Sequence, residues 1–116
     1  MITAPMLDLI QRAGEGVLTL TEDVSEADFL RSRLTRNETR RQMALLADSL
    51  LGLPEAARAC MPEIDWAIWH TTRVELDRIG PTHDEALWFG ARSLVPATLS
   101  WLRVYRQERP ELFRWG

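Results

Sequence analysis

PEIDWAIWHTTRVELDRIG, residues 62–80, is the stretch whose reading decides the fold. A proline opens it, Gly80-Pro81 closes it, and nothing between them breaks a helix. Projected at about 100° per residue from Trp66, the residues Trp66, Trp69, Thr72, Leu76 and Ile79 form one broad apolar stripe. An amphipathic helix is therefore expected, with Asp65 as its N-cap. Arg73 falls on the stripe, between Trp66 and Trp69. A guanidinium stays charged near neutral pH, so one set in an apolar seam requires an acidic partner, an interface or a ligand. Asp77, four residues on, is within reach across one turn. That is the structural answer; a ligand or a second chain is the functional one.

Outward from this helix the chain reads as helix throughout. Upstream, Pro5 opens a segment in which Met6, Leu9, Ile10, Ala13, Val17 and Leu20 recur at helical spacing, giving a first helix over 5–21. Gly14 and Gly16 weaken it or admit a close neighbour. SEAD from Ser25 resembles a capping box and starts a short helix through Phe29 and Leu30. A long helix over 33–52 follows, with Met43, Leu46, Ala47, Leu50 and Leu51 as its core face and Gly52 as its stop. Pro54 restarts a short helix that Pro62 ends. Downstream, Thr82 is expected to cap HDEALWFGARSL, and Pro96 to kink or break it. Leu99, Leu102 and Val104 carry a last helix. A tail over 109–116 has Leu112, Phe113 and Trp115 available to fold back on the body. No strand, repeat or low-complexity segment is expected. The fold class is all-α, an up-and-down bundle of four or five helices in one domain over 1–108.

Composition sets outer bounds. A chain of 116 residues, 46% apolar and 27% charged, can bury a core without metal or disulfide staples. Its single cysteine, Cys60, makes no internal disulfide, which fits a reducing cytoplasm. The start, MITAPMLDLI, lacks a basic run before an apolar core, so no signal peptide is expected, and no stretch approaches a membrane span. Net charge of −3 exerts no global pull on nucleic acid. All 14 basic residues are arginine, and Arg31, Arg33, Arg36, Arg40 and Arg41 crowd one region. Arginine suits phosphate contacts, although arginine-rich codon usage or a solvated helix face accounts for the same pattern.

Residues able to carry chemistry are few. His70 and His83 are the only histidines, and their spacing suits no single helical face, so neither a metal nor a cofactor is expected. Cys60 in a helical pattern reads as a small core residue. Asp84-Glu85 favours a helix N-terminus electrostatically, and Glu75 and Asp77 are placed for ion pairs. Arg78 lies about 140° round the helix from Arg73 and faces solvent on pattern alone. The tryptophans read as core or interface anchors first and as base-stacking platforms second.

With the helices placed, DFLRSRLTRNETRRQMALLADSL, then LPEAARACMPEIDWAIWHTTR, then DEALW and LVPATL run in an order that resembles the HepT-like toxin family of the HEPN superfamily. The resemblance extends from about Leu7 to Leu102. Family members have a similar FL-x-D…AV-x-R-x-LE-x-IGEA helix, a P-E-I-P-W turn into the active-site helix, and a D-L-x-x-[VI]-W segment after it. Arg41 and Asp48 stand where the family usually has Arg and Glu, and Trp66 at the family's Trp.

The resemblance implies a dimerising helical bundle, with a ribonuclease-type R-x4–6-H motif at the dimer cleft. The arginine holds phosphate and the histidine assists 2′-OH attack or product release. It also implies a nucleotidyltransferase partner of the MNT type, which neutralises the toxin by modifying a tyrosine after that histidine. Arg73 fits the motif arginine. Five positions on, this chain has Arg78 in place of histidine, and Ile79-Gly80-Pro81-Thr82 replaces the tyrosine segment; the only tyrosine is Tyr105. An arginine cannot act as general base near neutral pH. The expectation is a catalytically degenerate HEPN protein, a cytoplasmic homodimer whose cleft carries Arg73, Arg78 and Arg41 for phosphate or RNA, with Trp69 and His70 beside them. Its partner would be RNA, a nucleotide or the nucleotidyltransferase. The alternative is an active metal-independent ribonuclease using Arg73 with His83, or His70, as relocated base. A third is a structural subunit with no ligand of its own.

Overall fold

The computed structural model describes residues 1–114, and the expectation for Trp115 lies outside them. The chain is all-α apart from its two ends. Helix α1 spans Ala4–Thr21, α2 Glu26–Arg31, α3 Arg33–Leu51, α4 Glu55–Ala59, α5 Trp66–Glu75, α6 Pro81–Phe89 and α7 Val95–Glu108. Polar side chains start the upstream helices, each accepting from an otherwise unpaired N–H. Thr3 Oγ1 accepts from Met6 N, Ser25 Oγ from Asp28 N and Ser32 Oγ from Thr35 N.

The core is one cluster in which Ile10, Val17, Phe29, Met43, Leu46, Leu50, Met61 and Trp69 are fully buried. α1 lies along α3 and also touches α7. Gly14 permits the second contact: a Cβ there would sit 2.8 Å from Leu99 Cδ2. The absent side chain therefore sets how near α7 comes to α1.

Several sequence expectations change. Pro96 does not break the helical run. A π-helical turn, Gly90–Leu94, joins α6 to α7 into one rod, and the Val95 N–H reaches back five residues to the Gly90 carbonyl. Widening the turn just before Pro96 gives its ring room, because it no longer faces a tight i−4 carbonyl. Thr82 does not cap α6. Gly80 precedes it and Pro81 takes the first helical position, where a missing N–H costs nothing. The expectation of no strand is also corrected. Ile2–Thr3 (β1) and Phe113–Arg114 (β2) form a two-residue parallel ladder, Ile2 opposite Phe113 and Thr3 opposite Arg114. Ile2, Leu112 and Phe113 are buried there, so apolar burial holds the two ends of the chain together. Among the described residues no helix is long and apolar enough to cross a membrane.

The turn before α5 is held from two sides. Trp66 Nε1 donates to the Met61 carbonyl at 3.0 Å, and the Glu63 N–H donates to the Tyr105 hydroxyl at 3.3 Å. Asp65 Oδ1 then accepts from Ile68 N at 3.0 Å and starts the helix. α5 ends at Glu75, one turn short of the expected stripe, so Ile79 falls outside it and is 86% exposed. The chain reverses at Gly80, where φ is +139°.

Candidate functional site

Two side-chain clusters flank α5. The first lies between α3 and α5. Arg73 Nε donates to Asp48 Oδ1 at 2.7 Å and its Nη1 to Asp77 Oδ1 at 3.2 Å. Asp48 first, and Asp77 second, hold the Arg73 guanidinium above its ordinary range, so it stays charged. The Arg73 side chain is 30% exposed and the two carboxylates are mostly in solvent. Arg41, also on α3, closes onto Glu38 at 2.5 Å on the open surface.

The second cluster lies between α5 and α6. Glu75 Oε2 is 2.7 Å from His83 Nδ1, and Glu75 Oε1 is 3.5 Å from Arg78 Nη1. Asp84 takes two arginines from α3, Arg40 Nη2 at 2.8 Å and Arg36 Nε at 3.4 Å. All three of these side chains are largely covered. Three of its members, Arg40, Glu75 and His83, also line a groove of about 490 Å³ between α5 and the α6–α7 rod. Ile68, Leu76, Leu87, Phe89, Leu94 and Ala97 give it apolar walls; Arg40, Glu75, His83, Asp65, Thr71, Thr72 and Ser93 are its polar lining.

The predicted site residues are thus divided. Arg73 meets Asp48 on one flank of α5, while His83 and Arg78 meet Glu75, two residues further on. Two residues are about 200° round a helix, which separates Arg73 from the histidine. Arg41 pairs locally with Glu38, and His70 is exposed. Trp69 was expected at a cleft and is instead in the core. It is fully buried and its Nε1 donates to Thr98 Oγ1 at 3.0 Å. An indole facing the core leaves no ring for a surface contact.

Arg36, Arg40 and Asp84 were read as a solvated face and a helix-end charge; they form a covered ion cluster between α3 and α6. The signal was present in the i, i+4 spacing of Arg36 and Arg40, which puts both on one face of α3. Among the described residues no group of three or more His, Cys, Asp or Glu side chains converges to hold a metal ion. No known protein family, curated protein or solved structure matches this chain.

Proposed function

We propose that this chain is a HepT-like protein of the HEPN superfamily, with a HEPN-like helical bundle, that has lost nuclease chemistry. It acts by protein–protein contact, as a homodimer and with a nucleotidyltransferase of the MNT type, in a toxin–antitoxin type system. The observation that carries the proposal is the surroundings of Arg73. One guanidinium between Asp48 and Asp77 leaves a local net charge of −1, which repels phosphate. A protein surface can meet such a mixed cluster with charges of its own. The position that the resemblance assigns to a general base carries Arg78, engaged by Glu75. Asp48 and Arg73, 25 residues apart in the chain, meet at 2.7 Å, so the two positions that the resemblance singles out share one cluster.

An active ribonuclease with a relocated base draws support from the His83–Glu75 pair, since a carboxylate orients an imidazole for proton transfer. Against it, within one subunit Arg73 and His83 lie on different flanks of α5, and the Arg73 guanidinium is already held by Asp48 and Asp77.

The purified protein is assayed on RNA with and without chelator, alongside Arg73→Ala and His83→Ala, and co-expressed with an MNT-type nucleotidyltransferase. The expected result is no cleavage, negligible RNA binding, and a complex that Asp48→Ala or Arg73→Ala weakens. Metal-independent cleavage lost in both Arg73→Ala and His83→Ala would overturn the proposal in favour of the ribonuclease. RNA binding that depends on Arg73 would overturn it in favour of a phosphate-binding cleft.

A further inference from the structure

We infer that the groove between α5 and the α6–α7 rod is a binding site for a small neutral molecule with an apolar body and one hydrogen-bond donor, phenol-like in chemistry, seated with its donor on His83 Nε2. At about 490 Å³ the groove is in the size range of small-ligand sites. Its walls are mostly apolar, with the hydroxyl side chains of Thr71, Thr72 and Ser93 among them, and Phe89, 69% exposed, offers an aromatic face.

The polar end defines the ligand. Glu75 Oε2 lies 2.7 Å from His83 Nδ1, and an ionised carboxylate only accepts. The proton therefore sits on Nδ1; in the neutral ring Nε2 carries a lone pair, whereas in the imidazolium it would donate, the case that the benzoate arm below reads. Among the described residues no hydrogen bond engages that nitrogen. An acceptor at the end of an apolar groove asks for a donor. The other charges there already have partners: Arg40 holds Asp84 and Asn37, Glu75 holds His83 and Arg78, and Asp65 accepts from the Ile68 N–H. An ionic ligand would have to break one of these pairs, whereas a neutral donor breaks none. The site is independent of the Arg73 cluster, which faces the other flank.

The test uses the full-length ¹⁵N-labelled protein titrated with p-ethylphenol, ethylbenzene and p-ethylbenzoate, read by amide shifts. The phenol is expected to move the amides of Thr71, Thr72 and Ser93 and to bind about five-fold more tightly than ethylbenzene, the value of one ordinary hydrogen bond. His83→Phe should reduce the phenol to the ethylbenzene level, and Ala97→Trp, which fills the groove, should abolish both. If His83→Phe loses its amide dispersion, the phenol-to-ethylbenzene ratio on the unaltered protein decides alone. Equal binding of phenol and ethylbenzene overturns the inference, as does tightest binding by the benzoate, which would mark an anion site on Arg40 or on the His83 imidazolium. Amide shifts that follow protein concentration and ignore the phenol also overturn it, since a second copy would then fill the groove.

Discussion

Replacing Trp69 by phenylalanine separates a core residue from a cleft residue. Trp69 is the largest fully buried side chain among the described residues, and its Nε1 donates to Thr98 Oγ1 at 3.0 Å. Complete truncation of a buried tryptophan costs about 3–5 kcal/mol, so keeping one ring costs about half of that. The lost hydrogen bond adds about 1 kcal/mol. The hydroxyl of Thr98 is not stranded, because it still donates to the Leu94 carbonyl at 2.8 Å. The sum is about 2.5–3.5 kcal/mol, set against a total stability of about 6–17 kcal/mol for a chain of 116 residues. At about 4 °C per kcal/mol, Tm should fall by about 10–14 °C. Urea unfolding followed by far-UV circular dichroism measures this without relying on the fluorophore that the substitution removes. Thr98→Val completes a double-mutant cycle, with an expected coupling of about 1 kcal/mol. A Trp69→Phe protein within about 0.5 kcal/mol of the parent, or a coupling indistinguishable from zero, would refute the buried placement and return Trp69 to a surface.

Arg73→Ala should cost less than about 1 kcal/mol of stability, and less still at high salt, because both acidic partners are solvated; a loss above about 2 kcal/mol in the same urea assay would mean the cluster is structural. Gly80→Ala should destabilise by about 1–3 kcal/mol, since φ of +139° is strained for any residue with a Cβ. The added methyl itself meets only His83 Cδ2, at 3.8 Å, so the cost lies in the backbone; an unchanged unfolding midpoint would show that the turn relaxes freely. Arg41 first, with Gln42 second, holds the Glu38 carboxyl below its usual range. Any stability this contributes is present above the unfolded carboxyl's pKa and is lost as pH falls through the lowered folded value. Arg41→Ala should move the Glu38 titration midpoint upward in a carbon-detected NMR titration, and an unmoved midpoint would show the pair is not populated in solution.

Helix positions were legible because they rest on local chemistry. Thr3, Ser25, Ser32 and Asp65 cap with their own side chains, and the buried faces of α1 and α3 recur every three or four residues as burial of one stripe requires. The missed features are non-local. Nothing near Ile2 in the chain announces that it will pair with Phe113. The π turn ahead of Pro96 keeps the helical run unbroken, and residue order alone shows only the proline. Ile79 looked like the last member of an apolar stripe, but Glu75 took His83 and Arg78, and the helix ended first.

For the candidate site the division is sharper. An arginine within an apolar stripe is a property of residue order, and so is an i, i+4 acid able to answer it; both could be read from 62–80 alone. The partner at the shorter distance, Asp48, comes from another helix. The groove, too, exists only because α5 and the α6–α7 rod are held apart by packing. Residue order sets which side chains share a helix face. Which faces meet depends on how the helices bury their area together, and that is a property of the whole fold.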